Sequence, residues 1–216
     1  KGNLKLLSGR KIKSPAGLGT RPTSARVREA VINILGQRIL NSNWLDLCSG
    51  SGIMGCEALQ HGANKVIAVE SNRQNATICK LNLSSIKKDL AQEIYFEVIN
   101  SDAIKFLKKE STKQPREVIK TKSNINFSFD LVYIDPPYKA PLYIPILNHL
   151  LLGEWINNDS LVICELSSDV KLTISPDWIL KDQRFYGKTY LLFLTPNQAL
   201  HCRDDTDSRQ QQKVLE

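Results

Sequence analysis

The sequence predicts an α/β domain: a mostly parallel sheet with helices on both faces, finished at one edge by an antiparallel hairpin. Three observations lead there. Strand-like and helix-like segments alternate along most of the chain. The strand-like ones are almost continuously apolar, as strands buried on both faces must be. The last two are joined by a Tyr186-Gly187 turn with no helix between them. At 216 residues the chain is long enough for one such core and too short for two enzymatic domains.

Residues 4–13 are apolar and basic and read as a strand or hairpin; Pro15, Gly17 and Gly19 then forbid regular structure. From Pro22 onward Val27, Val31, Ile34, Leu35 and Ile39 recur at helical spacing, with Thr23 or Ser24 as N-cap and Asn41 to Asn43 closing the run. This helix is expected to present Arg26 and Arg28 near its start. Residues 44–48 form a short apolar strand ending in a glycine-rich turn, 53–60 a helix, 65–70 a β-branched strand, and 72–86 a helix. Residues 94–99 read as strand, 102–109 as helix, 129–134 as strand, 142–152 as helix and 161–166 as a fifth strand. The hairpin takes 179–185 and 189–194. Residues 108–126 are polar, hold Pro115 and read as an added mobile basic loop. Residues 204–216 read as a disordered tail.

Three parts follow from this: a basic arm and helix over 1–43, an α/β domain over 44–200, and a tail over 201–216. The net charge of +7 resides in the arm, where nine Lys and Arg face one acid, Glu29. That gives +8 within residues 1–43 and leaves −1 for the remainder. Clustered positive charge attracts polyanions, so the arm points to nucleic acid. No apolar run approaches the roughly eighteen residues of a membrane span, and the opening lysines are not followed by the apolar core of a secretion signal. Five scattered cysteines without C-x-x-C spacing argue against disulfides and structural zinc. His61, His149 and His201 have no metal-ligand spacing. A monomeric, metal-free, cytoplasmic protein is the expectation.

Asp46-Leu-Cys-Ser49-Gly50-Ser-Gly52-Ile-Met-Gly55 places glycines in a G-x-G-x-x-G pattern between a strand and a helix. Only glycine permits the tight turn and the close approach of a ligand to the backbone. Glu70 ends the next strand, placed to accept hydrogen bonds from ribose hydroxyls, so the pair predicts an adenosine-containing cofactor. Asp46 favours S-adenosylmethionine over a dinucleotide: a carboxylate there faces an ammonium and sulfonium, whereas a pyrophosphate needs unobstructed helix N–H groups. Asp102, with Ala103 beside it, is placed for the adenine amine and also as an N-cap.

Asp135-Pro136-Pro137-Tyr138 follows the strand over 129–134, where residues just past strand ends line the ligand crevice. The prolines fix φ and stiffen the loop. An aspartate and a rigid carbonyl can together accept both hydrogens of an exocyclic amine, and Tyr138 offers a face on which a base can stack. Methyl transfer to such an amine needs positioning and desolvation rather than a metal.

With these motifs quoted, the chain resembles a known family. Asp135-Pro136-Pro137-Tyr138 is similar to the amino-methyltransferase signature of class I S-adenosylmethionine-dependent enzymes, whose fold is Rossmann-like. Gly9-Arg10-Lys11, followed by Arg21-Pro22-Thr23-Ser24-Ala25-Arg26-Val27-Arg28-Glu29, resembles the arm of the bacterial RsmD-type 16S ribosomal RNA guanine-N2 methyltransferases. The likeness covers roughly residues 4–195. It implies that Asp46, Ser49, Gly50, Gly52, Glu70, Asp102 and Ala103 hold S-adenosylmethionine and that residues 135–138 bind the target guanine. It also implies that Arg10, Lys11, Arg21, Thr23, Arg26 and Arg28 hold 16S RNA, within a small subunit or its assembly intermediate. This chain departs in Cys48-Ser49, where many members have Phe-Ala, in Glu70-Ser-Asn, where many have an Asp soon after, and in the 108–126 insertion and the tail. The competing readings are a DNA adenine-N6 methyltransferase and a non-catalytic RNA-binding protein on the same fold; the first usually carries a larger target-recognition region, and the second would not need intact motifs.

Overall fold

A computed structural model of the chain describes residues 4–15, 23–109, 128–137 and 141–198. The predicted tail, most of the 108–126 insertion, Arg21 and Tyr138 lie outside the described residues.

The chain opens with β1 (Leu4–Lys5) and β2 (Lys11–Ile12), an antiparallel pair in which Leu4 faces Ile12. Helix α1 (Ala25–Leu35) follows, capped by Ser24, whose hydroxyl accepts from the Val27 N–H. A 3-10 turn (Gly36–Ile39) leads to β3 (Asn43–Leu47), α2 (Ile53–Gln60), β4 (Lys65–Glu70), α3 (Arg73–Lys87), β5 (Tyr95–Asn100) and α4 (Ala103–Lys109). Then come β6 (Phe129–Ile134), α5 (Tyr143–Leu152), β7 (Ile156–Ser167), β8 (Trp178–Tyr186) and β9 (Thr189–Pro196). Strands β3 to β9 form one sheet in the order β5-β4-β3-β6-β7-β9-β8, with the first five parallel and β9 antiparallel to both β7 and β8. The order reverses at β3, where β4 lies on one side and β6 on the other. Open parallel sheets take ligands at such a switch point, above the carboxyl ends of the strands.

Alternation along each strand builds a core on both faces. Trp44 and Tyr133 stack at 6.3 Å on the face covered by α1, α2 and α3, while Leu45, Leu47, Phe129 and Val132 meet α4 and α5 on the other. β7 begins five residues before the predicted 161. Its first turn, Asn157 to Ser160, reads as loop because it is polar, yet the Ser160 hydroxyl donates to Phe129 O at 2.7 Å and accepts from the Asn157 N–H at 2.9 Å. Side-chain hydrogen bonds there replace ladder bonds across a bulge.

The arm is built into the core. Leu6, Ile12, Val27, Val31 and Leu35 share one buried cluster with Trp44, Met54 and Leu59. Arg28 is 4% exposed and Glu57 on α2 is 0% exposed, and Arg28 Nε meets Glu57 Oε1 at 3.1 Å. Nη1 donates to Thr23 O at 2.7 Å and Nη2 to Lys5 O at 2.6 Å, while the Leu7 N–H donates to the same Glu57 oxygen at 2.9 Å. This corrects the expectation that Arg28 is presented to RNA: its guanidinium is spent inside the protein. Thr23, 6% exposed, is likewise buried and not a surface contact.

Removing one partner of a buried pair strands the other charge, at a cost of about 3–5 kcal/mol. Glu57→Ala is expected to lose that much stability in urea unfolding, and Arg28→Met with Glu57→Leu to recover most of it. Equal stability of Glu57→Ala and the wild type would show that the pair is solvated.

Candidate active site

Four carboxylates converge at the switch point. Asp46, on β3, points to the α2 side and is 2% exposed; its Oδ2 accepts from the Gly55 N–H at 3.2 Å. A carboxylate at the first turn of α2 meets the positive end of the helix. Glu70 closes β4 and uses both oxygens on the turn, accepting from Gly50 N–H and Asn72 N–H, each at 2.8 Å. Asp102, exposed after β5, caps α4 by accepting from the Lys105 N–H at 2.9 Å, with Ala103 buried beside it. Asp135 follows β6, its N–H donating to Leu47 O at 3.3 Å. The Cys48 thiol lies among them: burial first, then Glu70, Asp135, Asp46 and Asp102 push it up to about 12. The Cys48 thiol is therefore held protonated near neutral pH, on a residue with φ at 63°.

The glycines divide their work. Gly50, at φ 54°, has nothing within 4 Å of where a Cβ would stand, which leaves its surface open to a ligand. Gly52, at φ 73°, closes against α3, and a Cβ there would run into Cys79 Sγ. Ser49 ties the turn to β4 through its N–H to Val69 O at 3.0 Å, and its carbonyl accepts from Gly52 N–H at 2.7 Å.

The Asp-Pro-Pro loop stands on a polar support that sequence reasoning missed. The Thr23 hydroxyl donates to Asp135 Oδ2 at 3.4 Å. Below it, the buried Tyr133 hydroxyl donates to Glu165 Oε2 at 2.5 Å, and Tyr143 on α5 donates to Glu165 O at 2.5 Å. Burial, then the charges of Glu165 and Asp135, hold the Tyr133 hydroxyl protonated, with Thr23 working against them. A signal was available: Glu165 is the one acid in the apolar run 161–166, and an acid 3% exposed requires partners. Asn82 on α3 was also missed; its side chain accepts from Lys13 N–H and donates to Lys13 O and Ser51 O, each at 2.9 Å, tying the arm to the glycine turn.

Of the arm residues, Arg10 lies along the surface of α3, donating to Ser85 O and to Asp89 just beyond the helix. Lys11 is exposed, and Arg26 is exposed with its guanidinium over the Tyr186 ring at 5.8 Å. Among the described residues no group of His, Cys, Asp or Glu could hold a metal ion, and no helix is long and apolar enough to cross a membrane.

Burial, opposed by the Gly55 N–H and aided by Glu70, raises Asp46 from 3.8 to about 7. Between those values the folded chain holds a proton that the unfolded chain has released, so stability falls as pH rises from about 4 to about 7 and then levels off. Urea unfolding of the protein alone should show this slope and Asp46→Asn should lack it; identical pH profiles would refute the shift. Gly52→Ala is expected to cost more stability than Gly50→Ala, because both lie at positive φ but only Gly52 is packed against a neighbour; a thermal melting series reads the difference.

Comparison with known proteins agrees with this geometry. Residues 4–195 match the family described as Conserved hypothetical protein 95. Ribosomal RNA small subunit methyltransferase D of Haemophilus influenzae is 31% identical over 191 residues, covering 87% of this chain and 91% of the relative. The protein of the same name from Escherichia coli K12 is 29% identical over 181 residues, covering 83% and 81%. The solved structure of Escherichia coli yhhF superposes with a TM-score of 0.72 at 26% identity, covering 91% of this chain and 99% of that one. With a family match over nearly the whole described fold and the Asp-Pro-Pro loop beside the glycine turn, the chain belongs to the RsmD-type methyltransferase family.

Proposed function

We propose that this protein transfers a methyl group from S-adenosylmethionine to the exocyclic N2 amine of a guanine in small-subunit (16S) ribosomal RNA, within the subunit or its assembly intermediate. The observation that carries the reading is the placement of Asp135, Pro136 and Pro137 at the end of β6, one strand from the glycine turn of β3. The relatives named as small-subunit RNA methyltransferases and the basic arm support RNA as the substrate class.

The residues fit the cofactor. An acidic turn with one open glycine suits a ligand that carries ammonium, sulfonium and ribose groups. Asp46 and Ser49 would meet its amino-acid end, Gly50 its backbone-facing side, Glu70 the ribose, and Asp102 with Ala103 the adenine. When bound, S-adenosylmethionine supplies an activated methyl group. Asp135 accepts a hydrogen bond from the guanine N2 amine, which draws the nitrogen lone pair out of the ring and aims it along the crevice. Pro136 is buried and Pro137 exposed, so the pair anchors the loop at one end and faces the substrate at the other. The Thr23 hydroxyl holds the Asp135 carboxylate, and the Tyr133–Glu165 pair lies beneath the loop. Once the nitrogen becomes cationic its proton is easily lost, to Asp135 Oδ or to water. Tyr138 would stack on the base, and Lys11, Arg21 and Arg26 would hold the phosphate backbone.

Labelled S-adenosylmethionine offered with undermethylated small subunits, naked 16S RNA and duplex DNA tests this reading, with nucleoside analysis of the product. Label is expected as N2-methylguanosine on RNA or subunits, and Asp135→Ala should reduce transfer at least a hundredfold while leaving cofactor affinity within a fewfold. Methyladenine in DNA, or cofactor binding with no transfer, would overturn it.

A further inference from the structure

The upper end of the β8–β9 hairpin carries groups that the site above does not use. Tyr186 pairs with Thr189, and Thr189 with Ser167 at the carboxyl end of β7, so the turn stands at the same end of the sheet as Asp135. Three strand steps separate β6 from β8, roughly 14 Å at the usual spacing. On this edge strand Phe185 is 67% exposed, its ring stacked at 5.5 Å on the cross-strand Tyr190, which keeps the aromatic plane from collapsing onto the sheet. Arg184 and Tyr186 point to the opposite face, because their neighbours Leu191 and Thr189 alternate with Tyr190. Arg26 lies over Tyr186 and joins the start of α1 to the hairpin.

The charge is complementary to a polyanion. Arg26, Lys171, Arg184 and Lys188 are exposed here; the nearby acids are Asp169 and Asp182, of which Asp182 pairs with Arg184 at 2.9 Å. Four cations against two carboxylates leave +2 at the hairpin end that carries the exposed aromatic ring. Basic groups beside a solvent-facing ring are the elements of single-stranded nucleic-acid binding, where bases stack and phosphates follow the cations.

We propose that this hairpin end is a second RNA-contact surface, on which a nucleotide flanking the target guanine stacks on Phe185 while Lys171 and Lys188 take up its backbone, and Arg26 and Arg184, on the reverse face, meet the strand where it passes over the turn. The inference rests on RNA being the substrate. It places one strand of RNA across the sheet end from Asp135 to the β8 edge, independently of the arm hairpin.

The test measures binding and methylation of naked 16S RNA and of undermethylated small subunits by the wild type, Phe185→Ala, Phe185→Leu, Phe185→Trp and a control, Leu152→Ala, exposed at the opposite end of the sheet. Melting curves confirm that each variant folds. Phe185→Ala and Phe185→Leu are expected to weaken RNA binding roughly five- to a hundredfold, the range of one base–aromatic stack, with the loss carried by KM rather than kcat. Phe185→Trp is expected to restore binding, and Leu152→Ala to match the wild type. Unchanged affinity of Phe185→Ala and Phe185→Leu would overturn the proposal. A loss confined to small subunits, with naked RNA unaffected, would assign the surface to a ribosomal protein and overturn it as well. Wild-type RNA binding that depends on Phe185 but yields no N2-methylguanosine would refute the guanine reading and keep the surface; wild-type binding to neither substrate would refute both.

Discussion

Arg28 and Glu57 form a buried ion pair at the meeting point of three stretches of chain that have no local reason to meet. Taking two charges out of water costs several kcal/mol for each, which only good geometry and further hydrogen bonds can offset. Arg28 finds them at Thr23 O and Lys5 O, and Glu57 at the Leu7 N–H. The first hairpin, the start of α1 and the middle of α2 are thereby held together. Glu57 Oε2 is buried with no hydrogen-bond partner among the described residues, so the pair makes a poor bargain by area alone and a good one for specificity. Breaking it would release the strand end and the helix start together.

The consequence reaches the site through Thr23. Its carbonyl is held by Arg28 and its hydroxyl reaches Asp135, so one residue joins the structural pair to the chemical loop. Beneath the loop Tyr133 donates to Glu165, and Tyr143 donates to the Glu165 backbone from the helix that follows the loop. The arm thus has two parts with different work. One part, Thr23 and Arg28, is turned inward and sets the position of the loop; the other, Lys11 and Arg26, keeps its charge toward solvent.

On the cofactor side the same economy holds. Asp46 and Glu70 both spend oxygens on the backbone of the turn they are expected to serve, Asp46 on Gly55 and Glu70 on Gly50 and Asn72. Burial first, then neighbouring carboxylates, raise both the Cys48 thiol and Asp46, Glu70 being the one that acts on Asp46, and an acidic crevice of this kind suits a cationic ligand. That acidity is local: the sheet beneath is apolar on both faces and needs nothing from the site.

Periodicity and motif order were sufficient for the strand and helix alternation, the hairpin at the sheet edge, the glycine turn and the place of the Asp-Pro-Pro loop, because each is encoded within a short window of chain. The ends of elements were less legible: β7 begins in a polar stretch whose strand geometry depends on Ser160 reaching across to Phe129, a contact no window of sequence contains. The role of Arg28 was illegible for the same reason. Within its own helix it is one more arginine in a basic run, and only packing α1 on α2 reveals that it faces Glu57, twenty-nine residues away. Sequence by itself determined which chemical groups stand at the strand ends, since local spacing dictates those positions. Tertiary structure alone decided which charges are spent inside and which remain for a partner, because burial and pairing are properties of contacts between distant segments.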